Sequence, residues 1–111
     1  MGRPVRQGEV YWVVFEPPDK RRPVVILTRS EIIPRLNRVT VAPITTVISN
    51  IATEVRVGPG DGLPLESAVN LDNVSTVPKA QIGQFITRLD GAKLREIRAA
   101  IEFAFGLDRM G

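Results

Sequence analysis

Histidine and cysteine are both absent from this 111-residue chain. Without cysteine there is no disulfide framework, no thiolate zinc site and no thiol nucleophile. Without histidine no side chain titrates near neutrality in its ordinary state, so acid–base chemistry must come from Arg, Lys, carboxylates, Tyr or hydroxyls. Aromatic residues make up only 5%, too few for the long stacking surface of a general single-strand binder. No run of about 18 apolar residues occurs that could span a bilayer, and MGRPVRQGEVYW has no apolar core of signal-peptide length. A cytoplasmic protein without membrane contact is expected. The P-loop, GxGxxG and HExxH patterns are missing, and the twelve acids are dispersed rather than grouped as magnesium ligands. No metal and no cofactor are expected.

The apolar fraction, 43%, is enough for one modest core, and residues 1–111 read as a single domain. Net charge is +3. The excess lies in one segment, where Lys20, Arg21, Arg22, Arg29, Arg35 and Arg38 face only Glu31, as expected of a surface that binds a polyanion.

Along the chain, EVYWVVFE from Glu9 to Glu16 is β-branched and aromatic and is stopped by PPD, the pattern of a strand. RPVVILT from Arg22 to Thr28 suits a strand buried on both faces, joined to the first by the short connection Pro17–Arg21. SEIIPRLN reads as a helical turn interrupted by Pro34. RVTVAPIT from Arg38 to Thr45 alternates until Pro43, which is expected to break the ladder. TEVRV is an edge or half-buried strand, GPGDGLP a turn, SAVNLDNVSTV one strand with a polar centre, and QFITRL another. Asp90 is a plausible N-cap for a helix with Leu94, Ile97, Ile101 and Phe105 on one face and Gly106 as its stop, while Phe103 points the opposite way. Several short strands at close spacing followed by one helix predict a mainly β fold, a small barrel.

Three polar clusters sit at strand ends: Arg21-Arg22-Pro23, Ala42-Pro43-Ile44-Thr45-Thr46 and Asn70-Leu71-Asp72-Asn73. Each has an ordinary explanation, as a surface ion pair, a turn former or an Asx turn. Their order changes the balance. With G-E-V-Y-W at Gly8–Trp12, R-R-P-V at Arg21–Val24, A-P-I-T at Ala42–Thr45 and D-N-V-S-T-V at Asp72–Val77, the chain from residue 6 to about 107 resembles the MazF/PemK family of toxin–antitoxin endoribonucleases.

That resemblance implies an SH3-like barrel with a C-terminal helix, a homodimer, a cognate antitoxin, and metal-independent cutting of single-stranded RNA. It implies a catalytic pair, Arg22 and Thr45, with a contribution from Asp72. Lys20, Arg21, Arg29, Thr46, Asn70 and Asn73 are the expected RNA contacts. The sequence departs from the family pattern in two places: PPDKR replaces a longer connection between the first two strands, and Asn70 stands where some relatives carry arginine.

The chemistry open to such a site is attack of the RNA's own 2′-hydroxyl on the adjacent phosphate, which leaves a 2′,3′-cyclic phosphate and a 5′-hydroxyl and spares DNA. Arg22 would stabilise the extra charge on phosphorus, Thr45 would donate to a non-bridging oxygen, and Asp72 would be base or orienting group. A non-catalytic SH3-like module binding RNA or protein is the competing reading.

Overall fold

The computed structural model describes residues 3–15 and 20–110, with the backbone alone at Lys20 and Asp108. Seven strands come first: β1 (Glu9–Phe15), β2 (Lys20–Ile26), β3 (Arg38–Thr45), β4 (Glu54–Val57), β5 (Ser67–Asn70), β6 (Ser75–Pro78) and β7 (Ile82–Arg88). One helix, α1 (Gly91–Ala104), follows. All pairings are antiparallel, in the order β4-β5-β3-β2-β1-β7, with β6 also pairing β3. The expected barrel is therefore not closed by a ladder. Its two edge strands are instead tied by a side chain: Thr87 Oγ1 in β7 donates to the Asp61 carbonyl at 3.0 Å, in the turn that follows β4. Gly62 makes that approach possible, since its φ is +95° and a Cβ there would collide with Thr87. No helix among the described residues is long and apolar enough to cross a membrane.

Both faces of the curled sheet are buried, and this explains the continuous apolar run of β2, where Val24, Val25 and Ile26 are all fully enclosed. Residues of one parity, including Val10, Val25, Ala42 and Ile44, pack under α1 with Ile97 and Ala100. Those of the other parity, including Tyr11, Val13, Val24 and Val41, pack around Ile33 and Val77. Asp90 caps α1 as its position suggests, accepting the Lys93 N–H at 2.9 Å. Leu94, Ile97 and Ile101 meet the core. Phe105 does not: it is the residue that ends the helix and stays exposed, like Phe103. Gly106 follows in the left-handed region at φ +64°.

Several boundaries differ from expectation. β2 begins at Lys20 and ends at Ile26, because Thr28 turns its hydroxyl to accept the Thr40 N–H at 2.8 Å in place of a ladder bond. Pro34 does not interrupt a turn but lies near the start of one, a 3-10 turn over Ile33–Arg35. Pro43 does not break β3. It sits where the strand hands over from β6 and β2 to β5, a point at which a missing N–H costs little. SAVNLDNVSTV is two strands, not one, parted by a 3-10 turn at Leu71–Asn73 that forms as Asn70 Oδ1 accepts the Asp72 N–H at 2.9 Å. Pro17 and most of the PPDKR connection lie outside the described residues.

Candidate active site

The first two polar clusters meet because β2 and β3 run antiparallel. Val24 pairs with Pro43, the last pair of that ladder, and just beyond it Arg22 of β2 and Thr45 of β3 come to one cavity. Pro23 holds Arg22 extended where β2 leaves the core. Arg22, Pro43 and Thr45 line a cavity of about 390 Å³ with Val47, Ser49, Glu54, Asn70 and Asn73. β5 contributes by lying beside β3, with Thr45 opposite Ala68, and β4 lies beyond it, with Glu54 opposite Asn70.

Within this cavity the polar groups are already oriented. Thr45 Oγ1 accepts the Val47 N–H at 3.1 Å, and among the described residues its own proton goes to no acceptor. Glu54 Oε1 accepts the N–H groups of Ser49 and Asn50 at 2.9 and 3.0 Å, which pins the carboxylate and leaves Oε2 unbonded among the described residues. Asn70, its carbonyl engaged by the turn, keeps an amide with two donors. Among the described residues Arg22 pairs with no carboxylate. An exposed planar cation, a hydroxyl donor, an amide and one fixed carboxylate around a single cavity suit a phosphodiester.

A second cavity, of about 380 Å³, shares Arg22, Thr45 and Val47 and adds Trp12, Arg21, Pro23, Ile44, Thr46 and the Leu63–Leu65 turn with Ser67. Strand parity separates the two. Arg22, Pro43 and Thr45 belong to one face of the sheet, while Trp12, Pro23 and Ile44 belong to the face that packs under α1. The Arg21 guanidinium lies over the Trp12 ring, 4.2 Å from its centroid.

Not every expected residue gathers here. Asp72 is exposed on the turn after β5 and does not line the cavity; its Oδ2 accepts the Thr53 hydroxyl at 2.6 Å. Arg29 lies apart, in a cleft with Gln7, Thr40 and Phe105. The basic segment is not one patch, because Lys20–Arg22 opens β2 at the cavity, whereas Arg29 and Arg35 belong to the connection at the far end of the same strands and Arg38 opens β3 there. The side chain of Lys20 lies outside the described residues. Residue type alone does not single out Glu54, which reaches the cavity through the pairing of TEVRV beside SAVN. A larger cleft of about 530 Å³ runs under α1 past Leu27, Leu94 and Ile101. Its wall is mainly apolar, and of its charged members Arg98 and Glu102 pair with each other at 3.7 Å.

Comparison with known proteins gives a consistent picture. Residues 6–105 match the family of "PemK-like, MazF-like toxin of type II toxin-antitoxin system". The chain is 44% identical over 104 residues to "Probable endoribonuclease MazF5" of Mycobacterium tuberculosis, covering 93% of this chain and 94% of that protein. It is 46% identical over 90 residues to "Endoribonuclease MazF3" of the same species, covering 81% and 87%. Among solved structures, "Mycobacterium tuberculosis toxin MazF-mt6" superposes with a TM-score of 0.82 at 40% identity, covering 88% of this chain and 96% of that one. "Endoribonuclease in complex with its cognate antitoxin from Mycobacterial species" does so with a TM-score of 0.83 at 28% identity, covering 93% and 96%.

Proposed function

This chain belongs to the PemK-like, MazF-like toxins of type II toxin–antitoxin systems and is a toxin endoribonuclease, and from that premise we propose that it cuts single-stranded RNA at Arg22 and Thr45 without a metal ion. One observation carries the assignment: Arg22, whose side chain is exposed, and Thr45, whose hydroxyl proton is available, line one cavity.

In this reading the RNA 2′-hydroxyl attacks phosphorus, forming the O2′–P bond and breaking the P–O5′ bond. The products are a 2′,3′-cyclic phosphate and a 5′-hydroxyl. Arg22 spans two non-bridging oxygens and stabilises the charge that grows there, and Thr45 donates a further hydrogen bond. We give Glu54, rather than Asp72, the task of receiving or orienting the 2′-hydroxyl proton, because Glu54 lines the cavity with the pair and Asp72 does not. The leaving 5′-oxygen takes its proton from solvent. Asn70 and Asn73 hold the RNA from the other side of the cavity.

The same reading includes a homodimer with RNA lying across the shared groove, a cytoplasmic location, and a cognate antitoxin whose acidic, apolar segment competes for the Arg22 groove. Incubation with a long single-stranded RNA in excess EDTA tests it. Cleavage by the native protein and none by Arg22→Ala or Thr45→Ala is expected; activity that disappears in EDTA and returns with magnesium would overturn it.

A further inference from the structure

We propose that the cleft formed by Trp12, Arg21, Pro64 and Leu65 receives a nucleobase next to the cut phosphate, with the Trp12-backed guanidinium of Arg21 as its stacking platform. This rests on the reading of Arg22 and Thr45 as the phosphate site.

The two cavities share Arg22, Thr45 and Val47, so a nucleotide chain whose phosphate lies between Arg22 and Thr45 enters the Trp12 cleft with its next unit. The other wall residues of that cleft are not those of the phosphate cavity. Trp12, Pro23, Ile44, Val47, Pro64 and Leu65 form its apolar part beside the polar Arg21, Arg22, Thr45, Thr46 and Ser67, and among the described residues no carboxylate lines the cleft. An indole and a guanidinium beside apolar side chains suit the face of a base. Two of these side chains stand in water at the lip, Val47 at 74% and Leu65 at 61% exposure, and a bound base would cover them.

Arg21 supplies the rest. Its guanidinium is exposed and lies 4.2 Å from the Trp12 ring centroid. A cation held over an indole loses its freedom before any ligand arrives. The side of the guanidinium turned away from the ring is then a fixed planar surface, of the kind on which unpaired RNA bases stack. It also places positive charge beside the phosphate without a carboxylate partner among the described residues. A low aromatic content does not oppose this, because one platform per cut site is enough for a cutter that must fix a single bond.

Trp12 is the only tryptophan in the chain, which makes it the reporter. Once the cleaved bond is mapped, an RNA oligonucleotide with one 2′-deoxy position at that bond is titrated against the full chain, alongside versions that are abasic on its 5′ or its 3′ side. The parent is expected to change Trp12 fluorescence. One abasic version should abolish that change and bind on the order of tenfold more weakly, while the other keeps the change. Arg21→Ala should weaken the parent more than it weakens the affected abasic oligonucleotide, which keeps only the charge contact. Saturable binding with no fluorescence change, or equal binding and equal signal from all three, overturns the base pocket and leaves the Arg22–Thr45 site standing. Failure of the native protein to bind or cut any RNA removes both.

Discussion

Arg3 lies over the Phe85 ring, 3.7 Å from its centroid, as Arg21 lies over Trp12 at 4.2 Å, yet the two surroundings are built differently. Arg3 also pairs with Glu9 at 3.0 Å, and Glu9 is almost wholly buried. The same carboxylate accepts the Tyr11 hydroxyl at 2.9 Å and the Arg6 N–H at 2.8 Å, so the acceptor capacity of a buried charge is used locally. Burial, followed by the Glu9 hydrogen bond and charge, pushes the Tyr11 hydroxyl up to about 12. That cluster anchors the N-terminal segment to β1 and β7. At the other end of β1 the arginines are exposed, and neither meets a carboxylate among the described residues. A closed cluster contributes stability; an open one keeps its donors for a ligand.

The largest effect that can break this contrast is on cleavage. Arg22→Ala and Thr45→Ala should each lower the rate by on the order of 10² to 10³-fold, with thermal midpoints close to the native value because neither side chain belongs to the core. Equal losses from Arg21→Ala and Arg22→Ala at matched salt would remove the special role of Arg22. Next in size, Glu9→Ala should cost about 2–3 kcal/mol by leaving the Tyr11 hydroxyl and the Arg6 N–H without their partner, a drop in midpoint on the order of 10 °C. Cleavage per folded molecule should not change. A Glu9 variant that is stable but inactive would contradict the division between the two regions.

The pH dependence sharpens it further. Tyr11 keeps its proton to a higher pH in the fold, about 12, than its ordinary value of 10.0, so its contribution is complete below pH 10 and is lost as pH rises toward 12. Across that window the stability advantage of the native chain over Tyr11→Phe should shrink by up to about 2–3 kcal/mol, read from denaturant midpoints at each pH. An unchanged gap would mean that Tyr11 is not shielded. The smallest effect separates the two acids. Glu54→Gln should slow cleavage less than Arg22→Ala does, whereas Asp72→Asn, away from the cavity, should change the rate by less still. The reverse order in single-turnover rates would return the acid's role to Asp72.

Much of this was legible in the residues. The strands and the helix cap follow from alternation and from Asp90 before an apolar repeat, and Arg22, Thr45, Asn70 and Asn73 meet as their positions at strand ends suggested. What was not legible depends on long-range placement. The turn at Leu71–Asn73 turns Asp72 toward Thr53, a choice made by the Asn70 side chain that alternation does not see. Glu54 enters the site only because β4 pairs with β5. The basic residues from Lys20 to Arg38 are contiguous in sequence, but an antiparallel pair carries a segment from one end of the sheet to the other, and Arg29 leaves the site for that reason. The pattern of short strands also does not distinguish a full ladder from a sheet fastened by Thr87 and Asp61.

The most direct test of the central claim is the chemistry of the RNA ends. A single-stranded RNA is cut to completion by the native protein in excess EDTA, and the fragments are analysed by mass. Expected are 2′,3′-cyclic phosphate and 5′-hydroxyl ends, with an oligonucleotide carrying a single 2′-deoxy sugar at the cut position left intact. Fragments with 5′-phosphate ends, or cleavage of the deoxy-substituted bond at an undiminished rate, would contradict attack by the substrate's own hydroxyl and with it the roles given to Arg22 and Thr45.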